Sequence, residues 1–211
     1  MIIAIDGPAA SGKGTLAIKI AQHYQFAHLD TGLLYRAVAF LLSQKGLDLQ
    51  DEPQAIAMTH EITEAVLADP HLRGREMGEG ASVVAALPGL RAALVDYQRK
   101  FATSFPGAVL DGRDIGTVIC PDADVKLFVT ASLEERSQRR FKELSAKGQS
   151  YTYEDILADL KKRDERDSGR SSAPLKAADD AFLIDTTNMT PAEALKMAIR
   201  IINSKRTKPS E

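Results

Sequence analysis

Residues 1–15 read Met1-Ile2-Ile3-Ala4-Ile5-Asp6-Gly7-Pro8-Ala9-Ala10-Ser11-Gly12-Lys13-Gly14-Thr15. A short β-branched run bounded by glycine and proline has the pattern of a buried strand. The glycines after it let the chain turn back with backbone N–H groups pointing inward, a geometry that holds anions. Leu16, Ile18, Ile20 and Ala21 then supply the apolar positions of a helix, whose N-terminus adds partial positive charge at the same place. Up to Lys13 this is the phosphate-loop pattern G-x-x-x-x-G-K-[ST], in the strand–loop–helix setting that the motif requires. Gly14 occupies the last motif position and Thr15 follows. The hydroxyl that usually faces Mg²⁺ therefore comes one residue late, and Thr15 is the metal-side candidate.

The 211 residues suit one domain of ordinary size with small insertions. Hydrophobic residues make up 44% and charged residues 27%, which fits a soluble globular chain. A net charge of −2 gives no reason to expect nucleic acid or an anionic membrane as partner, so any attraction for anions must be local. A lone cysteine, Cys120, excludes an intrachain disulfide and suits a reducing compartment; its neighbours Val118, Ile119 and Pro121 point to a small buried apolar role. With no 18-residue apolar run and no basic leader, the expected location is cytoplasmic. The histidines (His23, His28, His60, His71) show no metal-ligand spacing.

Further strands are expected at 26–29, 108–110, 125–129 and 181–184. Helices are expected over 33–43, from Pro53 through Ile56, Ile62 and Val66, and from Pro88 with Leu90, Leu94, Tyr97 and Phe101 on one face. Ser132 with Glu135 forms a capping box, and Thr190-Pro191-Ala192-Glu193 combines N-cap, N1 proline and N3 glutamate. A charged, capped helix is expected over 153–167. Pro70, Gly74, Gly78 and Gly80 weaken the pattern over 68–80, marking a small insertion. The tail from Asn203 is polar and expected to fray.

Strands that are almost wholly apolar, alternating with helices, mean a parallel sheet covered on both faces. The expected class is thus α/β, a three-layer phosphate-loop fold on a five-stranded parallel sheet. Ligands in such sheets bind at the carboxyl ends of the strands. Those ends carry Asp6 with the phosphate loop, Asp30-Thr31, Asp111-Gly112-Arg113-Asp114 and Asp185-Thr186. Asp111 ends an apolar strand, where phosphate-loop proteins place a carboxylate near Mg²⁺. Arg163, Arg166 and Arg170 recur at i, i+3 and i+7, which puts them on one helix face. Gly148 before them, and Ser168, Gly169, Ser171 and Ser172 around them, suit a mobile lid that brings arginines onto phosphates.

Together these segments resemble the bacterial cytidylate kinases, nucleoside monophosphate kinases that move the γ-phosphoryl group of ATP to CMP or dCMP. The matching pieces are Asp6-Gly7-Pro8 through Lys13-Gly14-Thr15, Leu29-Asp30-Thr31-Gly32 with Tyr35-Arg36, Ala81-Ser82 with Arg91, Asp111-Gly112-Arg113-Asp114-Ile115-Gly116-Thr117, and Lys162-Arg163-Asp164-Glu165-Arg166-Asp167 through Arg170. The resemblance implies one kinase domain over 1–207, with a nucleoside-monophosphate-binding insertion near 59–87, a lid near 146–171 and a polar tail at 208–211. It implies that Gly7, Pro8, Ala9, Ala10, Ser11, Gly12, Lys13, Gly14 and Thr15 hold the ATP phosphates. Thr31, Arg36, Arg113 and Arg170 would cradle the CMP phosphate, and Ser82, Arg91 and Asp114 would read cytosine. Arg163 and Asp167 would close over the substrate and its sugar. Lys13, Arg113, Arg163 and Arg170 would form the catalytic set, with Mg²⁺ as cofactor, in a monomer that binds neither nucleic acid nor membrane.

Ala10 stands where many members have glycine, Thr31 where some have serine, and residues 68–80 are shorter than the insertion of some members, lacking its small extra strands. Two rival readings stay open at this level. A kinase phosphorylating a hydroxyl, such as shikimate or gluconate kinase, would want a carboxylate base near its acceptor. A GTPase-type switch would want an Asn-Lys-x-Asp segment, which Asn188-Met189-Thr190 does not supply.

Overall fold

The computed structural model describes residues 1–206, so the expected tail at 208–211 lies outside the described residues. Two compact units emerge, one from Met1–His28 together with the chain from Ala102 onward, the other from Leu29–Phe101. The strands are β1 (Ile2–Asp6), β2 (Ala27–Asp30), β3 (Ala108–Gly112), β4 (Val125–Thr130) and β5 (Phe182–Asp185). The helices, in chain order, are α1 (Lys13–Tyr24), α2 (Thr31–Gln44), α3 (Glu52–Thr59), α4 (Glu64–Leu67), α5 (Arg75–Val84), α6 (Pro88–Ala102), α7 (Leu133–Ala146), α8 (Tyr153–Gly169) and α9 (Pro191–Arg206).

The sheet runs β2-β3-β1-β4-β5, with β1 parallel to both β3 and β4, and β4 parallel to β5. Central β1 has Ile3, Ala4 and Ile5 wholly buried, as a strand covered on both faces must. Its neighbours pack with Leu16, Ala17 and Ile20 of α1 and Ala194, Ala198 and Ile202 of α9. Register pairs Ile5 with Asp111 and Asp6 with Gly112, so the acidic ends of β1 and β3 lie side by side. In the second unit α2 is buried on nearly every side, and its Leu34, Val38 and Leu42 pack with Val84, Leu90 and Leu94.

Several local expectations give way. The helix opened by Pro53 stops at Thr59, and a separate turn, α4, is capped by Thr63, whose hydroxyl accepts from the Val66 amide at 3.3 Å. The stretch 68–80 is not irregular: a 3₁₀ turn at Pro70–Arg73 leads directly into α5, which contains both Gly78 and Gly80. Gly80 serves packing rather than turning. A Cβ there would stand 3.0 Å from the Cβ of Ala39, so only glycine lets α5 lie this close to α2. Tyr97 is exposed and Gln98 takes the buried position, its Nε2 donating to the Leu94 carbonyl at 3.0 Å. At α7 only half the capping box forms: Ser132 caps the Glu135 amide, while the Glu135 carboxylate turns to Arg139 at 2.8 Å. Asn203 does not begin a frayed tail, because α9 stays helical through Arg206.

Candidate active site

Within the first unit the phosphate loop joins β1 to α1. A Cβ at Gly7 would collide with the Val129 carbonyl oxygen of β4, so glycine is needed there for the loop to leave the sheet. Gly12 (φ 87°) and Ala10 (φ 59°) both take left-handed backbone. The strain at Ala10 is offset by packing, since Ala9 and Ala10 lie against Leu144, Ile156 and Leu160. Helix α1 starts at Lys13 with no side-chain cap and no acidic residue in its first turn, so its positive end is not neutralised from within. Lys13 is buried and folds back over its own loop, Nζ donating to the Pro8 carbonyl at 3.1 Å. Ser11 is wholly buried, and its Oγ has no hydrogen-bond partner among the described residues. A buried hydroxyl left unmatched inside a loop of amides suits an incoming anion.

Beside the loop, Asp111 is buried with Oδ1 2.8 Å from His28 Nε2. Its Oδ2 lies 3.6 Å from where a Cβ on Gly14 would stand, next to Thr15. Hard oxygen donors of this kind suit Mg²⁺, which keeps several waters and takes few protein ligands.

Two residues further, Arg113 Nε donates to Asp167 Oδ2 at 2.9 Å. Arg170 donates to Asp167 Oδ1, and Arg163 Nε stands 3.9 Å from Oδ2. Arg170 has left the helix, since α8 ends at Gly169, and returns as its C-cap. Asp167 is 1% exposed. Burial alone would push its carboxyl up; the guanidinium groups of Arg113, Arg163 and Arg170 outweigh that and hold it at about 2. This cluster joins the strand-end turn to α8, a convergence foreseen only as the closing of a lid.

Two arginines of α7 that sequence reading left without a role also face the loop. Arg136, buried, donates to the Ala131 and Ala9 carbonyls at 2.9 and 3.3 Å and pairs with Asp164 of α8 at 2.7 Å. Arg139 donates to the Thr186 hydroxyl and carbonyl at 2.9 and 2.7 Å and to the Ser11 carbonyl at 3.4 Å. Thr186 in turn donates to the Ser11 carbonyl at 2.9 Å. Here a cavity of about 290 Å³ opens, lined among others by Gly12, Thr15, Arg139, Thr186, Met189 and Pro191.

The second unit holds Thr31, Arg36, Ser82 and Arg91. Thr31, buried, is the first residue of α2. Arg36 donates to the Leu72 and Gly74 carbonyls at 2.7 and 3.3 Å, tying α2 to the 3₁₀ turn. Arg91 lies 5.6 Å over the Tyr35 ring and donates to the Ala85 carbonyl at 3.2 Å, and Ser82 is 1% exposed on α5. Buried polar groups gathered on α2, α5 and α6 are an unusual expense for a structural subdomain.

A family model described as cytidylate kinase matches residues 3–204. The chain belongs to the cytidylate kinase family.

A cytidylate kinase of Rhodopseudomonas palustris (strain BisB18) is 54% identical over 206 residues, covering 98% of this chain and 97% of that one. One from Methylocella silvestris is 56% identical over 204 residues, covering 97% and 94%. Among solved structures, an uncharacterized protein of Eubacterium ventriosum shares the fold with a TM-score of 0.55 at 17% identity, covering 97% of this chain and 99% of its own. A Thermus thermophilus protein does so with a TM-score of 0.50 at 21% identity, covering 99% and 98%. The match along nearly the whole chain sets aside both rival readings, the hydroxyl-phosphorylating kinase and the GTPase-type switch. Among the described residues no helix of the enzyme is long and apolar enough to cross a membrane.

Proposed function

We propose that the phosphate loop, the Arg113-Asp114 turn and the α8 arginines carry this family's reaction, each in a distinct role. The enzyme transfers the γ-phosphoryl group of ATP to CMP or dCMP, giving ADP and the nucleoside diphosphate. Residues 7–15 hold the ATP phosphates, with Lys13 reaching the outer ones. The cavity beside Arg139 and Thr186 receives the donor's base and sugar. Thr31, Arg36, Arg113 and Arg170 cradle the CMP phosphate; Ser82, Arg91 and Asp114 read cytosine; Arg163 and Asp167 close over the sugar. Residues 59–87 serve as the acceptor-binding insertion and 146–171 as the lid of one kinase domain spanning 1–207. Thr15 and Asp111 hold Mg²⁺, which when bound neutralises charge on the donor phosphates. The enzyme works as a cytoplasmic monomer with no nucleic-acid or membrane partner.

The chemistry asks little of the protein in proton transfer. A phosphate monoester has its second pKa near about 6, so the acceptor arrives as an oxyanion at neutral pH and needs no general base. What remains is to hold two polyanions end to end against their own repulsion, by positioning and charge neutralisation. The observation that carries this reading is the gathering of Arg113, Arg163 and Arg170 around one buried carboxylate. Guanidinium groups brought this close repel one another, and an incoming phosphate can share them with Asp167.

The donor side has its own test. Arg139→Ala is expected to raise KM for ATP about tenfold while leaving KM for CMP within about twofold. Steady-state kinetics with each substrate varied in turn measures the split. Equal rises in both constants would contradict the assignment of the cavity to the donor.

A further inference from the structure

Asp6 has no part in the roles above, although it stands between the phosphate loop and the base-reading turn. It is the last residue of β1, 5% exposed, and Gly7 follows it directly. Both carboxylate oxygens are engaged on one short segment: Oδ1 accepts from the Ile115 amide and Oδ2 from the Gly116 amide, each at 2.8 Å. These are the two residues after Asp114. On its other side the Asp114 carbonyl accepts from the Val118 and Ile119 amides at 2.8 and 3.2 Å, inside the π-turn Ile115–Ile119.

The fit is close. A Cβ on Gly116 would come within 3.1 Å of the Lys126 side chain and 3.4 Å of Asp6 Oδ2, so the turn lies close against both residues. Keeping a charge there is costly. Burial pushes the Asp6 carboxyl up to about 6, against the lowering effect of the Gly116 and Ile115 amides, with the Asp114 charge raising it and Lys13 lowering it. An apolar residue at the end of β1 would avoid that cost, and the cost is met where the turn carrying Arg113 and Asp114 is held.

We propose that Asp6 is a positioning residue for base selection, its two oxygens fixing the Ile115 and Gly116 amides and thereby the aim of the Asp114 carboxylate. It touches neither nucleotide and acts through the turn. The inference rests on the assignment of Asp114 to the cytosine, and Asp6 converts the rigid end of the central strand into a reference point for that group.

Asp6→Asn keeps the size but can accept only one amide with its oxygen, while its NH₂ group opposes the other. Gly116→Ala crowds the Lys126 side chain and displaces the same turn from its other side. Both variants are expected to raise KM for CMP about tenfold or more and to narrow the CMP/UMP ratio of kcat/KM by a similar factor. ATP binding, followed by titration with a fluorescent ATP analogue, is expected to stay within about twofold. Melting curves verify folding, and should Asp6→Asn not fold, Gly116→Ala carries the comparison. Losses that fall equally on CMP and ATP, or unchanged discrimination in the variants of a selective wild-type enzyme, would overturn the role of Asp6. A wild-type enzyme indifferent between CMP and UMP would instead overturn the reading of Asp114 beneath it.

Discussion

Replacing Lys13 by methionine is expected to lower kcat by about a thousandfold or more while leaving the fold intact. Methionine keeps most of the length and the apolar stem, so the buried packing at this position survives. What it loses is the one ammonium group set into the phosphate loop, which hydrogen-bonds the Pro8 carbonyl at 3.1 Å and sits at the first position of α1. In a pocket shielded from water such a charge is worth far more than at the surface, because its attraction for developing phosphate charge is not screened. Circular dichroism and the melting temperature would confirm the fold, and turnover with ATP and CMP would measure the loss. Near-normal turnover in a folded variant would contradict the role of the loop.

The second large effect concerns the acceptor. Asp114→Ala is expected to cut kcat/KM for CMP about a hundredfold and to bring the CMP/UMP ratio towards unity. Asp114 is buried at 5% exposure, where an unmatched polar group is costly. A carboxylate there would accept from the amino group of cytosine. Uracil offers a carbonyl at that position, so acceptor would face acceptor with no water to relieve it. Removing the carboxylate takes away both the reward for cytosine and the penalty for uracil. Kinetics on the two acceptors measure both quantities, and a variant that discriminates as well as the wild type would refute the assignment.

Residues whose type is dictated by backbone geometry were the easiest to read from the sequence. Gly7 and Gly12 announce the loop because few other residues could occupy those positions, and short, mostly apolar runs announce the five strands. The glycines of 68–80 misled for the opposite reason. Gly80 looks like punctuation, but the neighbour that requires it, Ala39, lies far away in sequence on α2. Arg136 and Arg139 were equally hidden. They belong to a helix rich in charge, and a guanidinium group reaching the Ala9 or Ser11 carbonyl has the same one-dimensional pattern as one in water. Asp6 could be seen at a strand end, yet its partners Ile115 and Gly116 are brought to it only by the β1–β3 pairing. Local chemistry was legible; long-range aim was not.

In the proposed mechanism, clustered guanidinium groups and one amine hold two nucleotide anions while a single carboxylate checks the pyrimidine. A coupled ADP-release assay with CMP, dCMP, UMP and AMP run in parallel tests it most directly. Turnover of CMP and dCMP is expected, with kcat/KM for UMP lower by about a hundredfold or more and no appreciable reaction with AMP. UMP or AMP phosphorylated as efficiently as CMP would contradict it.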